Sequence, residues 1–403
     1  MNIVNRILKN SSGRDTVKSG EIIEVTPDLI MNHDGDNIYN IESFQNLFKA
    51  DKIQNPDKVV MGLDHNVPSN SVDTAKVHST MRKFAREQAV TFYDQEGVLH
   101  QLMIENHVKP NQLIFAADSH TCSYGAVGAL GIPMGTTDNA YLWATGSTWL
   151  YVPETLYIEI KGKMQPGVLA KDIALKILGD VKCNGFVGKV VQFCGETTYS
   201  LSLSEKITLC NMASEGGAFS AIIDPEEPVI SNPHLSYDVS ELEPLVAAPH
   251  HVDNVKNIKE VEGIKINQVF IGSCTNGRFE DFEIAANIIK GKRVSSNIRL
   301  YICPASRSVL KKVMEAGYLE IFINAGAILL NPGCSLCFGS CQGIMDDGEV
   351  LFTTGNRNYK ARVGTSKSFI YMGSPSIAAA TAIAGSITDP RKYLVSDESG
   401  GLE

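Results

Sequence analysis

The sequence predicts an α/β protein whose sheets are largely parallel. Two observations support this fold class. Short apolar runs rich in β-branched residues alternate with helical patterns along the chain, as they do in βαβ units. Several of these runs end in acidic, amide, His or Cys residues, which is typical of the ligand-binding edge of a parallel sheet. We therefore expect a site assembled at the carboxyl ends of several strands.

The predicted elements follow in order along the chain. "DKVVMGLDH" predicts a strand that ends at Leu63. A helix is predicted next, because four apolar residues recur at helical spacing: Val77, Met81, Phe84 and Ala85. Four further strands are predicted from "NQLIFAADSH", "EKITLCNM", "INQVFIGSC" and "AGAILLNPG". The segment "RFEDFEIAANIIKGK" predicts a helix that ends near Gly291, and "GSPSIAAATAIAG" predicts a tightly packed helix.

The length of 403 residues exceeds what one hydrophobic core usually serves. Breaks are indicated by Gly, Pro and polar residues at 161–167 and 224–234. We predict three α/β domains, at residues 1–160, 161–255 and 256–403.

The composition excludes some classes of protein. The net charge is −9 and no dense run of Lys and Arg occurs, which argues against a nucleic-acid-binding protein. The N-terminal segment lacks the apolar core of a signal peptide, and no apolar run approaches the ~18 residues of a membrane span. We expect a cytoplasmic protein. In that reducing compartment the 9 cysteines would be thiols or metal ligands rather than disulfides.

Polar residues collect at five predicted strand ends. One such end would be weak evidence for a site, but five in one chain point to a composite site. The five groups are Asp64 with His65; Asp118, Ser119 and His120; Asn211 with Glu215; the segment 273–276; and the loop that carries Cys334 and Cys337.

The segment "NPGCSLCFGSC" contains a C-x-x-C pair, Cys334 and Cys337. A zinc knuckle, a redox dithiol, a metal cluster and simple packing are all open at this point. A zinc knuckle requires four ligands, and the sequence has no second pair of closely spaced cysteines. Cys274 is a candidate third thiolate, and soft thiolates suit iron–sulfur clusters. Three cysteines on a four-iron cluster would leave one iron free to act as a Lewis acid.

A series of motifs carries a family resemblance from Asp34 to Gly385. In chain order the motifs are "GLDH", "LHQLMIEN", "ADSHT", "NMASEGGA", "IGSCTNGR", "NPGCSLC" and "GNRNYKARVG". The series resembles the aconitase superfamily. Within it, the series is most similar to the large subunits of 3-isopropylmalate dehydratase, an enzyme of leucine biosynthesis, and of homoaconitase and 2,3-dimethylmalate dehydratase. The resemblance implies three α/β/α units around a central [4Fe–4S] cluster. It also implies a hydro-lyase that dehydrates or isomerises hydroxy di- or tricarboxylic acids.

The resemblance also implies roles for individual residues. Cys274, Cys334 and Cys337 would bind the cluster, and Asn276 and Asn356 would lie in its environment. Proton transfer would fall to imidazole–carboxylate pairs, because a carboxylate orients a His and keeps it basic. These pairs are Asp64 with His65, Asp118 with His100, and Glu215 with His120. The substrate would contact His33, Ser119, Asn211, Arg357 and Arg362, since Arg binds carboxylates through a planar fork.

One functional part has no candidate in the sequence. The family's carbon base is a serine in a Gly-Ser-Ser-Arg segment of a smaller mobile domain, and "GTSKS" at 364–368 lacks the arginine. The resemblance therefore implies that this fourth domain is absent from the chain and that a separate small subunit supplies the serine. The rival hypotheses are a cluster-free, RNA-binding regulatory relative and a zinc-bound structural protein.

Overall fold

The computed structural model describes residues 1–35, 37–226, 230–339 and 341–394. The strands within these ranges are β1 (Ile22–Val25), β2 (Leu29–His33), β3 (Val59–Leu63), β4 (Thr91–Asp94), β5 (Leu113–Ala116), β6 (Leu130–Pro133), β7 (Thr148–Tyr151), β8 (Glu154–Lys161), β9 (Lys189–Cys194), β10 (Ser220–Ile223), β11 (Leu235–Asp238), β12 (Leu245–Ala247), β13 (Val255–Asn257), β14 (Gln268–Gly272), β15 (Arg299–Cys303), β16 (Ile328–Leu329), β17 (Val350–Thr353) and β18 (Phe369–Met372).

The α-helices in the same ranges are α1 (Ile3–Ser12), α2 (Asn37–Glu42), α3 (Val72–Gln88), α4 (Leu99–Asn106), α5 (Thr136–Thr145), α6 (Ala170–Val181), α7 (Glu196–Ser200), α8 (Leu203–Met212), α9 (Ile258–Val261), α10 (Ser273–Asn276), α11 (Phe279–Ile289), α12 (Arg307–Glu315), α13 (Tyr318–Ala325) and α14 (Pro375–Ala384). The longer 3-10 segments are Ser119–Val127, Ala213–Gly216 and Pro390–Tyr393. No helix of the described part is both long and apolar enough to cross a membrane.

The described strands form three main sheets and one ribbon, which confirms the predicted α/β class. The first sheet has the order β4-β3-β2-β5-β6 and the second the order β10-β9-β8-β11, and both are parallel throughout. The third has the order β13-β12-β18-β17-β14-β15-β16, with antiparallel pairing only at β12. β1 and β7 form an antiparallel ribbon. The division into domains at 160 and 255 stays a prediction.

Most predicted elements are confirmed. The strand before Asp64 is β3, "NQLIFAADSH" contains β5, and "INQVFIGSC" contains β14. The helices predicted around Phe84, Phe282 and Ala379 are α3, α11 and α14, and all three side chains are buried. "AGAILLNPG" forms a strand of only two residues, β16.

The prediction of a strand from "EKITLCNM" is wrong, because these residues form most of α8. The helix begins with a capping box: Ser202 Oγ accepts a hydrogen bond from the Glu205 backbone N–H, and the Glu205 carboxylate accepts one from the Ser202 N–H. Most of the side chains from Ile207 to Met212 are buried whichever way they point, so the sequence shows no one-sided helical stripe. Asn211 therefore lies in the last turn of α8 and Glu215 follows that helix, so neither residue stands at the end of a strand.

The carboxyl ends of the first sheet face the carboxyl ends of β14 and β17 of the third sheet. His33 ends β2, and Asp64 and Asp118 follow β3 and β5. Cys274 follows β14. Because carboxyl ends of parallel strands share one edge, two such edges brought together place side chains from distant segments around one cavity.

Candidate active site

A cavity of about 450 Å³ lies where these strand ends meet. Twelve of the sixteen residues that the sequence analysis singled out line it, together with other residues such as Gly35 and Phe338. The twelve are His33, His65, His100, Asp118, Ser119, His120, Cys274, Cys334, Cys337, Asn356, Arg357 and Arg362. The other four, Asp64, Asn211, Glu215 and Asn276, stand behind this wall.

Three cysteines reach the cavity from two separate segments. Cys274 lies in the single turn of α10, whereas Cys334 precedes and Cys337 ends the 3-10 turn Ser335–Cys337. Cys341 does not line the cavity. Its thiol lies 3.6 Å from the carbonyl oxygen of His65.

Two buried amides contact the sulfurs. Asn211 Nδ2 lies 3.4 Å and Asn356 Nδ2 3.7 Å from Cys274 Sγ, while Cys337 Sγ lies 3.5 Å from Asn356 Oδ1. Gly355 also packs against Cys337, since a Cβ at position 355 would stand 3.1 Å from Cys337 Sγ. Hydrogen-bond donors and backbone packed against the thiolates stabilise a metal–sulfur site and tune its reduction potential.

The thiols differ in how readily they ionise. Burial raises the pKa of the Cys274 thiol to about 12. A hydrogen bond from Cys334 holds the pKa of the Cys337 thiol well below its usual range. The pair Cys334 and Cys337 therefore supplies the more readily ionised thiol, whereas the raised pKa of Cys274 favours its neutral form until a metal binds.

The residues present fit a cubane iron–sulfur cluster. Three sulfurs face one cavity, no other cysteine of the described chain lines it, and amide donors surround the sulfurs. An all-cysteine zinc site would need a fourth sulfur at this place. The donor set thus suits a cluster with three protein ligands.

Three imidazole–carboxylate pairs form the opposite wall. His65 Nδ1 lies 2.6 Å from Asp64 Oδ1, and His100 Nε2 lies 2.9 Å from Asp118 Oδ1. His120 Nε2 lies 2.9 Å from Glu215 Oε1. These are the three pairs that the motif series predicts, and each orients an imidazole at the cavity.

His120 lies between two carboxylates. Besides Glu215, it has Asp118 Oδ1 at 3.3 Å from its Nδ1. Burial opposes the charged form of His120, but the hydrogen bonds to Asp118 and Glu215 outweigh burial and raise its pKa. Burial likewise works against ionised Asp118, yet His100 and His120 hold its pKa well below the usual value. The raised pKa of His120 and the lowered pKa of Asp118 both favour the ionised form of this imidazole–carboxylate contact.

His33 packs flat on His65, with ring centroids 4.0 Å apart. Its Nδ1 accepts a hydrogen bond from the Gly35 N–H at 3.0 Å, so the proton of the neutral ring is on Nε2. That nitrogen is buried 3.3 Å from Asp118 Oδ2 and is not aligned for a hydrogen bond. His33 therefore presents an N–H that could donate a hydrogen bond to a substrate oxygen.

Two arginines complete the cavity. Arg357 donates from Nε to both oxygens of Glu215, at 3.0 and 3.1 Å, and from NH2 to Ser119 Oγ at 2.7 Å. Arg362 lies over the rings of Phe338 and Tyr359. Its Nε is buried and has no hydrogen-bond partner among the described residues. Such a donor is suited to a substrate carboxylate.

The residues behind the wall have different neighbours. Asn211 contacts Cys274 as described and also donates to Ser123 Oγ at 3.0 Å. Asn276, expected in the cluster environment, donates its amide to Thr208 Oγ1 and Asp281 Oδ1 at 3.2 and 2.9 Å. It therefore supports the turn that carries Cys274 from the side remote from the cavity.

The sequence analysis missed Asp34, which organises the loop after β3. Asp34 is buried and accepts hydrogen bonds from the backbone N–H groups of Asp64, His65 and Asn66, at 2.9, 2.9 and 3.0 Å. His78 on α3 lies 3.2 Å from its second oxygen. The sequence feature that could have identified Asp34 is its position directly after β2, which matches the position of Asp64 directly after β3.

The fold and the site geometry agree with the comparisons with known proteins. A model of the aconitase family (aconitate hydratase) matches residues 5–232 and 227–385. The chain belongs to the aconitase family. It is an enzyme of hydro-lyase type, and the resemblance stated from the motifs is confirmed.

Several relatives in the aconitase family are similar over nearly their whole length. The "3-isopropylmalate dehydratase large subunit 1" of Archaeoglobus fulgidus is 42% identical over 413 residues, which cover 97% of this chain and 99% of the relative. The "Probable methanogen homoaconitase large subunit" of Methanothermobacter thermautotrophicus is 40% identical, covering 97% and 98%. The "Methanogen homoaconitase large subunit" of Methanocaldococcus jannaschii is 38% identical, covering 96% and 99%.

A solved structure shares the fold of the chain. Aconitase X from Thermococcus kodakaraensis, in its holo-form, has a TM-score of 0.52 over 83% of this chain and 84% of its own, at 13% identity. At this identity the likeness concerns the fold alone.

Proposed function

We propose that this chain is the cluster-bearing large subunit of a two-chain hydro-lyase that dehydrates and rehydrates a hydroxy di- or tricarboxylic acid. The observation that carries the proposal is the convergence of three cysteines, three imidazole–carboxylate pairs and two arginines on one cavity. Cys274, Cys334 and Cys337 would hold a [4Fe–4S] cluster. When bound, such a cluster supplies an open iron that acts as a Lewis acid on oxygen ligands.

The chain's own residues would bind and orient the substrate. Arg362, with its unpartnered Nε, takes one carboxylate, and Arg357 with Ser119 takes another. The His33 N–H points at a further oxygen. Together these donors fix where the hydroxyl and the carbon-bound hydrogen lie relative to the imidazoles.

Loss of water needs an acid at the departing hydroxyl. His65 and His100 line the cavity and are each held by a carboxylate, at 2.6 and 2.9 Å. One of them protonates the hydroxyl. Its carboxylate partner stabilises the imidazolium before the proton transfer and keeps the neutral imidazole in place afterwards. Return of water to the other alkene carbon gives the isomer.

The carbon base is assigned to a small subunit that carries a Gly-Ser-Ser-Arg segment. The relatives at 42%, 40% and 38% identity are all named large subunits, which supports a second chain. A soluble, cytoplasmic two-chain enzyme without nucleic-acid or membrane partners follows from the same reading.

The proposed substrate is 3-isopropylmalate, and the alternative is a homoaconitate-type acid. Relatives at 42%, 41% and 39% identity carry the first name, and relatives at 42%, 40% and 38% identity carry the second. A side-by-side assay of both acids, with the small subunit present, separates the two.

The experiment that tests the proposal is anaerobic reconstitution followed by metal and sulfide analysis. We expect about four irons and four sulfides per chain, as a cubane requires. Loss of one iron in air and its return with ferrous iron and thiol would mark the open position. One zinc per chain without sulfide would contradict the proposal, and salt-sensitive retention of RNA by the apo-protein would favour the regulatory relative.

A further inference from the structure

Lys171 is a buried cation that the proposed reaction does not use. It lies in the first turn of α6, and only 1% of its surface is exposed. Lysines are almost never buried this far without an ionic partner. In the described part of the chain, the ammonium of Lys171 instead donates to two carbonyl oxygens, those of Thr354, at 3.1 Å, and Gly355.

Those two carbonyls belong to the backbone that wraps the cysteines. Gly355 packs against Cys337 so closely that a Cβ would stand 3.1 Å from the sulfur. The next residue, Asn356, contacts the sulfurs of both Cys337 and Cys274. Lys171 therefore anchors the backbone of the segment whose next residues contact the sulfurs.

The charges around Lys171 also link it to the cysteines. Burial lowers the pKa of Lys171 to about 7, and the negative charges of Cys337 and Cys274 as thiolates are the leading influences in the opposite direction. Negative charge at the cysteines thus favours the ammonium. By reciprocity, the ammonium favours negative charge at the cysteines.

We propose that Lys171 is a positioning residue of the cysteine site, which anchors the carbonyls of Thr354 and Gly355 and, as an ammonium favoured by the charge of the cysteines, places a positive charge near them. The inference rests on the proposed function, because a [4Fe–4S] cluster is the group that would feel this charge. Reduction adds an electron to the cluster, so a nearby cation should raise its midpoint potential.

Three substitutions separate the anchoring from the charge. Lys171→Gln keeps a donor to the carbonyls and removes the charge, Lys171→Met removes both, and Lys171→Arg keeps the charge. Lys176→Met is the matched control, since Lys176 lies on the same helix and is paired with Asp180 at the surface. The anaerobically reconstituted proteins are titrated with reductant while the cluster is followed by electron paramagnetic resonance, and iron loss in air is timed.

We expect Lys171→Gln and Lys171→Met to lower the midpoint potential by about 59 mV, the one-electron equivalent of a tenfold change in the reduction equilibrium. Lys171→Met should also lose iron several-fold faster, whereas Lys171→Arg and Lys176→Met should behave as wild type. Wild-type potential and iron retention in both neutral variants would overturn the inference. So would failure of both neutral variants to fold as apo-proteins, monitored by thermal unfolding, because Lys171 would then serve the fold itself. Absence of a cluster from the wild-type chain would instead remove the proposed function, and the inference with it.

Discussion

At the scale of single residues, the carboxylates that hold His65 and His100 are themselves fixed. Asp64 contacts His65 with one oxygen, while its other oxygen accepts the Leu99 N–H at 2.8 Å. Asp118 contacts His100 and also accepts the backbone N–H of His120 at 2.6 Å. Because backbone donors hold these two carboxylates, the imidazoles of His65 and His100 are oriented before substrate binds.

The acid–base role of these pairs can be tested by substitution. His65→Asn and His100→Asn should leave the cluster content unchanged and reduce turnover roughly 10²–10⁴-fold, the usual effect of losing a positioned proton-transfer group. Steady-state assays with iron analysis of each variant measure this. His251→Asn, at an exposed position, is the control. Near-normal turnover in both variants would make the pairs structural.

The choice of cluster ligands is a second prediction at this scale. Ser substitution of Cys274, Cys334 or Cys337 should prevent stable assembly of the cluster, because a hydroxyl is a poor soft ligand. Cys341→Ser should assemble normally, since its thiol faces the His65 carbonyl oxygen. Iron and sulfide per chain give the answer. A cluster lost in Cys341→Ser and kept in Cys274→Ser would show that the ligand set is wrong.

At the scale of elements, Asp34 links β2, the loop after β3 and α3. Its two oxygens accept three backbone N–H groups and face His78 of α3. Burial works against the ionised form, but the hydrogen bond with His78, the charge of His65 and the backbone donors lower the pKa of Asp34 far below its usual range. One carboxylate thus fixes the position of the loop that carries Asp64 and His65.

Asp34→Asn should lower the free energy of unfolding by about 1.5–3 kcal/mol near neutral pH, the cost of weakening buried hydrogen bonds to a charged group. The folded-state pKa is depressed, so this stabilisation is present above the unfolded-state value of roughly 3.9 and is lost as pH falls further toward the folded-state pKa. Urea unfolding of wild type and variant at several pH values measures the difference. It should shrink below about pH 4. Asp73→Asn on exposed α3 surface is the control, and a difference that grows in acid would contradict the assignment.

At the scale of the whole molecule, the site is shared between two sheets. The first sheet contributes the imidazoles, and the third contributes the sulfurs and the arginines. The cavity holds candidates for binding carboxylates and for protonating a hydroxyl, but among the described residues that line it none is a serine beside a free arginine. Ser119, the one serine among these described lining residues, accepts a hydrogen bond from Arg357, whose Nε is engaged by Glu215.

The chain alone should therefore be inactive even with a full cluster. Adding a separately expressed small subunit with a Gly-Ser-Ser-Arg segment should start alkene formation from an alkylmalate-type acid, followed by ultraviolet absorbance. The matched control is a small subunit whose serine in that segment is replaced by Ala, which should bind and stay inactive. Full turnover by the isolated chain would place the base within it.

The sequence by itself determined the parts of this protein that are local. The apolar runs of β3, β5 and β14 mark strands, and the Gly-rich sequence around Cys274 and Cys334 marks turns that line the cavity, because each depends on neighbours within a few residues. Local sequence still predicts a strand where α8 forms, because residues buried on all sides of this helix show no helical periodicity. The one local indication of a helix is the capping box at Ser202.

Only the tertiary structure decided which of these segments meet. His120 contacts Glu215 across 95 positions, Lys171 reaches Gly355 across 184, and Arg357 reaches Ser119 across 238. Lys171 has no distinguishing local pattern, and the position of Asp34 directly after β2 does not reveal its partners. The roles of both residues come from burial and from backbone groups brought to them by other elements. The physical reason is that a buried charge is defined by the partners that surround it in space, and no window of sequence contains those partners.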